Sequence, residues 1–358
     1  MLKIRDDIVN KIRAAADVAV LREALQKAVE LEHATIPAYL TALYSIKQGQ
    51  NVEAAQILHS VAVQEMLHLT IASNVLNAIG GAPNIDHPGF IPLFPGPLPM
   101  GIHEGLTVGL EKLTRGLVYN TFMVIEEPEV QEHFPVKAPQ LHAAAPTPTP
   151  KALRAGYASI GDFYTAIIDK ITGLGHRIFT GDPRRQVVDN TWFPSDQLFP
   201  IKTVSDAARA LGVIIEQGEG TSKSPEDPDK GIAHYYRFAE IVYGRKLVAD
   251  PSEPSGYSYS GAPVPLDPAG IWDLCPNART VDYAPGSRAR YLAEQFNYSY
   301  TSLLRALHNT FNGSPDKLRS SLGLMFELKL LAGNLVSTPI PGTTLFAAPT
   351  FEYTPTSV

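Results

Sequence analysis

The sequence contains a single cysteine, Cys275, among 358 residues. An intrachain disulfide is therefore excluded, and cysteine cannot supply the ligands of a zinc or iron–sulfur site. No run approaches the ~20 consecutive apolar residues of a transmembrane helix, and the N-terminus lacks the basic start and apolar stretch of a signal peptide. We therefore expect a cytoplasmic protein without a membrane partner. Any metal site must be built from His, Asp and Glu.

Positive charge is also scarce, since 30 Lys and Arg stand against 36 Asp and Glu, for a formal net charge of -6. The sequence has no basic cluster, so we expect no nucleic-acid partner. It also lacks a nucleophile elbow, a phosphate-binding loop and a dinucleotide fingerprint, which leaves serine hydrolysis, nucleotide hydrolysis and Rossmann chemistry without support. Proline, with 30 residues, is abundant and predicts long structured loops.

Helical periodicity dominates what is present. Apolar residues recur at steps of three and four over residues 18–47 and again over 54–75, which predicts an antiparallel helical hairpin with a turn at 49–51. Further helices are expected within the segments 106–129, 153–174, 204–218, 232–246, 289–313 and 314–336. No segment of strand period competes, so the fold class is all-α with long loops.

Proline-rich segments separate these helices. Residues 81–105 are too rich in proline for a helix and too apolar for a free linker, so we expect a loop packed over one end of a bundle. Residues 138–152 are predicted to form an extended surface linker. We expect a bundle with the functional site in residues 1–248, and a Pro/Tyr-rich segment followed by C-terminal helices that pack on the bundle in residues 249–358.

Glu65 and His68 lie one helical turn apart on the apolar stripe of the second helix, where buried residues are expected. Glu32 occupies the same kind of position on the first helix. A buried carboxylate without a partner is costly enough to be neutralised, so three ionisable groups on one inward face require a counter-ion. A metal ion is the simplest one, and Glu32, Glu65 and His68 are our first candidate ligands.

A di-metal site in a four-helix carboxylate protein takes a Glu from each of two helices and a Glu-x-x-His from each of the other two. For the second half, Asp162 and Glu216 both lie on stripes of small residues that leave room for an ion. No second Glu-x-x-His follows Glu216, and the nearest imidazole is His234 after a polar break. We predict Asp162, Glu216 and His234 as the remaining ligands, with Glu219 as a substitute for Glu216.

Several other polar residues have alternative interpretations. Glu30 and His33 form another Glu-x-x-His, but they flank the inward stripe, so Glu30 is expected to face solvent and His33 to support a ligand at most. The three glutamates of VIEEPEV, at positions 126, 127 and 129, are interpreted mainly as a helix end at Pro128, with a position facing the site as the lesser alternative. Tyr39, on the Glu32 face, is placed to donate a hydrogen bond to a ligand carboxylate.

The segments ELEHATIPAYLTALYSI, VQEMLHLTIASNVLNAIGGAP, FIPLFPGPLP, FMVIEEPE, IIEQGEGT and HYYRFAEI resemble the ferritin-like domain of iminophenyl-pyruvate dimer synthases and of many stand-alone bacterial proteins. The resemblance runs from about residue 21 to residue 244, and FNYSYTSLLRALHNTFNG and APTFEY are similar to the C-terminal part of the same family. It implies a ferritin-like four-helix bundle and a metal-binding role for Glu32, Glu65, His68, Glu216 and His234. Asp162 stands where the family has a Glu.

The resemblance implies a non-haem di-iron centre that reacts with dioxygen or peroxide. Hard oxygen ligands with imidazoles suit iron, with manganese as the other choice. Because the dimer synthases are far longer, their coupling reaction does not transfer directly. We expect a di-iron oxidase or oxygenase of bacterial secondary metabolism that acts on a small, amino-acid-derived substrate. Residues 82–101 are expected to form a lid over the site. A homodimer is one expected assembly.

Two alternatives stay open at this point. One is metal storage or detoxification without an organic substrate. The other is a scaffold that has lost its metal site, which would gain weight if Asp162 and Glu216 pointed away from the other candidates.

Overall fold

The structure is a computed structural model that describes residues 4–101, 105–128, 132–137, 157–218, 225–227 and 231–355. Helices provide most of the regular structure. They are α1 Asp6–Ala14, α2 Val18–Tyr44, α3 Val52–Ala78, α4 at 115–125, α5 Ile160–Leu174, α6 Val204–Gly218, α7 His234–Tyr243, α8 Arg288–Phe311 and α9 Leu318–Val336. The all-α class predicted from the sequence is confirmed.

The two longest bundle helices, α2 and α3, pair as the predicted antiparallel hairpin. Asp17 caps the start of α2, where its carboxylate accepts a hydrogen bond from the Ala19 amide at 2.8 Å. Helix α3 ends where Gly80 adopts a φ of 76°, which lets the Gly81 amide turn back to the Leu76 carbonyl at 2.9 Å. Both helices bury a continuous apolar face, so the hairpin is a fixed frame for the polar residues that it carries.

Four shorter helices cover the hairpin in two pairs, α4 with α7 and α5 with α6. The aromatic ring of Phe122 on α4 packs on Tyr39 of α2. Tyr164 on α5 instead donates a hydrogen bond to Glu32, which lies on α2 two turns before Tyr39. The two pairs therefore lie side by side along the hairpin. Their adjoining ends meet beside the middle of α2 and α3, where the polar residues lie.

Helix α4 is irregular, because a π-helical segment, Val118–Phe122, interrupts its α-helical ends. A π turn inserts a residue into the helical repeat and commonly occurs at functional sites. Here it precedes Glu126, whose amide bonds to the Phe122 carbonyl at 3.1 Å. The irregularity changes which side chain at the end of the helix faces inward.

Strands are short and occur as antiparallel pairs in the described chain. They are β1 Ile4–Arg5 with β2 Tyr157–Ala158, β3 Glu226–Asp227 with β4 Gly231–Ile232, and β5 Arg245–Ala249 with β6 Tyr257–Pro263. The β5–β6 hairpin was not predicted, since we expected irregular structure beyond residue 248. Its pairing is stabilised by Tyr259, which is buried opposite Leu247 and packs on Phe134.

The C-terminal helices α8 and α9 pack on each other and on the hairpin. Asn77 of α3 donates to the Phe311 carbonyl of α8 at 2.7 Å. Asn297 of α8 connects the segment before α8 to the segment after α9. It donates a hydrogen bond to Thr280 at 2.8 Å and accepts one from Thr350 at 2.8 Å. Buried side chains of residues 1–248 and of residues 249–358 contribute to one hydrophobic core.

The proline-rich loop 82–101 packs on this C-terminal region. Asp86 accepts a hydrogen bond from Tyr353 at 2.7 Å and forms an ion pair with Arg305 at 3.3 Å. Phe90 covers His33 on α2, with ring centroids 4.4 Å apart. The predicted linker 138–152 lies outside the described residues.

Candidate metal centre

The first group of the candidate centre comes from the helical hairpin. Glu32 of α2 and Glu65 and His68 of α3 are all buried, and each offers a ligand atom within 4.8 Å of the others. His68 Nδ1 lies 3.4 Å from Glu32 Oε2 and 3.7 Å from Glu65 Oε1. The other Glu65 oxygen accepts a hydrogen bond from Thr35 at 3.0 Å. The structure thus brings together the three side chains that the apolar stripe predicted.

A second group shares Glu65 with the first. Glu126, at the end of α4, and His234, the first residue of α7, complete it, and all three are buried. His234 Nδ1 lies 3.0 Å from Glu65 Oε1 and 3.4 Å from Glu126 Oε2. One carboxylate between two imidazoles, each with its own further carboxylate, is an arrangement with two adjacent cation positions.

Both imidazoles turn the same nitrogen toward the carboxylates. Nε2 of His68 lies 2.9 Å from Gln217 Oε1, and Nε2 of His234 lies 3.0 Å from Gln64 Oε1. Arg237 also donates to the Gln64 oxygen, and a guanidinium can only donate, so this atom must be the amide oxygen. The Nε2 of His234 is therefore the protonated nitrogen, and Nδ1 carries a lone pair.

This tautomer leaves a conflict that a cation resolves. The Nδ1 of His234 is buried without a hydrogen-bond donor, and its lone pair faces carboxylate oxygens. Burial lowers the pKa of His234, against the opposing effect of Glu126, so a proton is a poor partner at neutral pH. A metal ion bound to Nδ1 and to both carboxylates would satisfy all three groups, with Gln64 fixing the ring from behind.

Two tyrosines donate hydrogen bonds to the outer carboxylates, Glu32 and Glu126, which lie on either side of Glu65. Tyr39 donates to Glu126 Oε1 at 2.6 Å, and Tyr164 donates to Glu32 Oε1. Burial, and then the neighbouring carboxylates, raise the pKa of both phenols well above the usual range, so both remain hydrogen-bond donors. Each outer carboxylate therefore has one oxygen fixed by a phenol and the other directed at an imidazole.

The carboxylates repel one another in the absence of a cation. Burial is the largest effect on Glu65, and together with Glu126 and Glu32 it raises the pKa of this carboxyl well above its usual range, although His68 and Thr35 oppose the shift. Burial also lowers the pKa of the Arg237 guanidinium to about 10, so it stays charged at neutral pH. A divalent cation would remove the repulsion directly.

A cavity of about 30 Å³ adjoins these groups. Its polar wall carries Glu32, Thr35, Glu65, His68 and Glu126, and the rest of its lining is Leu31, Ile125, Ile160, Ile214, Ile215 and Gly218. Roughly 10–15 Å³ is needed for each water-sized occupant, so the cavity holds a few small atoms. Residues 82–101, which were expected to act as a lid, contribute none of this lining.

Two of the predicted ligands do not join either group. The carboxylate of Asp162 accepts from the Ser159 amide at 2.9 Å, and Ser159 accepts from the Asp162 amide in return. This capping box directs Asp162 to the start of α5. Glu216 on α6 is half-buried and lies outside both groups, because its neighbour Gln217 takes the inward position beside His68. Glu219 lies outside the described residues.

The structure adds residues that the sequence interpretation missed. Glu126 was interpreted as part of a helix end, and the glutamines 64 and 217 were not considered. The one available signal was the position of Gln217, seven residues after Ala210, on the buried face of α6. Tyr39 had been expected to donate to a ligand carboxylate, and it donates to Glu126, one of the candidate ligands. None of the described helices is long and apolar enough to cross a membrane.

Comparison with known proteins gives a consistent result. A sequence model of the family described as Ferritin-like matches residues 25–243. Dichlorochromopyrrolate synthase from Lentzea aerocolonigenes is 28% identical over 293 residues, which are 77% of this chain and 27% of that protein. The chain therefore spans about a quarter of the length of this relative.

A solved structure supports the fold over nearly the whole chain. The crystal structure of a ferritin-like protein from Caulobacter vibrioides at 1.95 Å resolution superposes with a TM-score of 0.57 and 22% identity. The superposition covers 93% of this chain and 97% of that chain. At this identity the similarity concerns the fold, including the C-terminal helices.

Proposed function

The chain belongs to the ferritin-like family, and from this premise we propose that it is a non-haem di-iron oxidase or oxygenase acting on a small, amino-acid-derived substrate. The observation that carries the proposal is the pair of three-residue groups that share Glu65. Four of the six predicted ligands, Glu32, Glu65, His68 and His234, contribute to them. Glu126 takes the place of the two that do not.

The ligand set supports iron, with manganese as the other choice. Three carboxylates and two imidazoles without a thiolate are hard and borderline donors, which suit these metals better than soft ones. The chemistry that a bound di-iron pair supplies is the reduction of dioxygen or peroxide. The orphaned Nδ1 of His234 and the mutual repulsion of the carboxylates are features of this chain that such a pair would satisfy.

The protein's own contribution is to hold and orient the ligand side chains and to exclude bulk water from the site. Glu65 occupies the centre with one oxygen anchored by Thr35, and the phenols of Tyr39 and Tyr164 each occupy one oxygen of an outer carboxylate. These donors fix the directions of the ligand atoms before any ion arrives. The apolar lining of the cavity excludes bulk water, which protects a reactive centre from side reactions.

The class of substrate is suggested by the relative from Lentzea aerocolonigenes, whose name describes the synthesis of dichlorochromopyrrolate. Because this chain spans only part of that protein, we propose a shared type of oxidative step and not the same product. We place the protein in bacterial secondary metabolism on the same ground.

Metal storage or detoxification is the second candidate, and the size of the cavity favours it. A space of about 30 Å³ accepts ions and diatomic molecules but is far smaller than an amino acid. An organic substrate would therefore have to bind next to the cavity or widen it, whereas ion storage requires neither.

The test is anaerobic loading of the full chain with Fe(II), followed by metal analysis and measurement of oxygen uptake. An enzyme retains two irons per chain and consumes oxygen in proportion to an added amino-acid-derived substrate. A storage or detoxification protein consumes oxygen in proportion to added iron and needs no organic substrate. A folded chain that retains no iron or manganese would refute both candidates.

A further inference from the structure

The carboxylates of the candidate centre have one cationic side chain in their hydrogen-bond network within the described chain, Arg237. It lies one helical turn after His234 on α7 and is half-buried. Its guanidinium donates to Ser60 at 2.9 Å and to the oxygen of Gln64, while its buried Nε lacks a partner. Its hydrogen bonds in the described structure thus go to neutral groups, and its charge is not cancelled by a direct ion pair.

The two imidazoles consequently have different support. His234 donates to Gln64, whose oxygen is shared with the Arg237 cation. His68 donates to Gln217, and Gln217 in turn donates to the neutral amide of Gln197 at 3.2 Å. The ligand sets look alike, but among the residues that the structure describes a fixed positive charge stands behind the His234 position alone.

We infer that Arg237 is a resident counter-charge that makes the two metal positions unequal. The position formed by Glu32, Glu65 and His68 binds its ion first and more tightly, and the position that contains His234 binds the second, exchangeable ion. This inference rests on the proposed metal centre and deepens it. It concerns the order and strength of binding, which the ligand sets alone do not specify.

Two effects of Arg237 act in the same direction. A positive charge behind the imidazole repels a cation at Nδ1, and electrostatic effects of this kind are stronger in a partly desolvated site than in water. The guanidinium also draws electron density from the Gln64 oxygen, which makes it a weaker acceptor for the His234 N–H. A less polarised imidazole is a weaker metal ligand.

The same charge is useful when no metal is bound. The charge of Arg237 is attracted first to Glu240, then to Glu126 and Glu65, and its attraction to the last two offsets part of the repulsion among the carboxylates. It therefore stabilises the metal-free fold and competes with the second ion for the same negative charge. Removing the charge should weaken the metal-free protein while tightening the second position.

The experiment is calorimetric titration of the full, metal-free chain with Co²⁺. The wild type should show two binding steps whose dissociation constants differ by about tenfold or more. Arg237→Gln, which removes the charge and keeps an amide donor, should tighten the second step several-fold and lower the Tm of the metal-free protein. The matched control Arg237→Lys keeps the charge and should retain two separate steps.

Two ligand variants identify the steps without altering Arg237. His68→Ala should abolish the tight step, and His234→Ala should abolish the weak one. Two equal steps in the wild type, the opposite assignment, or a weaker second step in Arg237→Gln would overturn the inference and leave the metal centre intact. A wild-type chain that binds no Co²⁺ would instead refute the proposed function itself.

Discussion

Helices α2 and α3 each carry a Glu-x-x-His pair, and the two pairs have different surroundings. Glu30 is half-buried and forms an ion pair with the exposed Lys27 at 2.6 Å, so its partner His33 has no carboxylate from the same motif. Glu65 and His68 both face inward, 3.7 Å apart, toward Glu32. With the same spacing, the glutamate pairs with a lysine on one helix and joins a candidate metal group on the other. The side chains that surround each Glu-x-x-His pair, and not its spacing, therefore determine whether it can bind a metal ion.

A second contrast concerns imidazoles with an unused nitrogen. The Nδ1 atoms of His33 and His234 are both buried without a hydrogen-bond partner. His33 lies between the rings of Phe90 and Tyr300, whereas His234 faces two carboxylates. A neutral imidazole among aromatic rings is a stable end state, but a lone pair directed at carboxylates requires a cation. Burial alone does not indicate a metal ligand.

The largest expected effect separates the two glutamates. Glu65→Gln should abolish binding of both ions, because the shared carboxylate is lost, whereas Glu30→Gln should leave the metal content unchanged. Glu65→Gln should also stabilise the metal-free protein by roughly 1–3 kcal/mol, since it removes a buried charge that its neighbours repel. Metal analysis and thermal unfolding of both variants provide the measurements. Retention of two ions by Glu65→Gln would show that this carboxylate is not shared by two metal positions.

Substitutions of His33 and His68 should have opposite effects: one mainly on stability and the other mainly on metal content. His33→Ala should cost about 2–4 kcal/mol of stability, because it leaves a cavity beside Phe90 and removes the partner of the Tyr300 hydroxyl, 2.7 Å away. It should not change the metal content. His68→Ala should lose one of the two ions and destabilise the metal-free protein less. Chemical denaturation and metal analysis together test the pattern, and loss of metal in His33→Ala would contradict it.

The pH dependence of stability should also distinguish His33. Burial lowers the pKa of His33 to about 3 in the folded protein, from 6.5 when unperturbed. The unfolded chain therefore takes up a proton that the folded chain does not, and the associated stability is present above pH 6.5 and lost as the pH falls toward 3. The slope should reach ~1.4 kcal/mol per pH unit. His33→Gln should reduce this slope relative to the wild type, measured on metal-free protein; equal slopes would exclude a buried neutral His33.

The smallest effect concerns the phenols. Tyr39→Phe should cost about 1 kcal/mol of stability and weaken metal binding only several-fold, because Glu126 stays in place but loses one fixed direction. Tyr300→Phe is the matched control, since its hydroxyl contacts His33 and not a ligand. Both are measured by calorimetric metal titration. An equal loss of affinity in the two variants would remove the positioning role of Tyr39.

The hairpin half of the candidate centre was predictable because its residues lie on two continuous helices. Periodicity places Glu32, Glu65 and His68 on one inward face, and the turn brings the helices together. Glu126 is 87 residues from its hydrogen-bond partner Tyr39, and it follows a π-helical segment that changes the inward face. No α-helical pattern can indicate that direction. The group completed by Glu126 and His234 depends on tertiary contacts, which the periodicity of a sequence does not reveal.

The position of Asp162 outside both groups has a different cause. The small residues around it predicted room for an ion, but Ser159 three residues earlier is the signature of a capping box. The local backbone thus uses the carboxylate before any distant group can. The missed β5–β6 hairpin also reflects tertiary context, because Tyr259 is buried against Phe134 of a distant segment.

Glu65 is shared by the two candidate groups, and anomalous diffraction tests most directly whether a metal position lies on each side of it. Crystals of the full chain loaded with Mn²⁺ should show two anomalous peaks on either side of Glu65. One should lie next to His68 Nδ1 and the other next to His234 Nδ1. A single peak, or peaks at Asp162 or Glu216 with none beside His234, would contradict two metal positions that share Glu65.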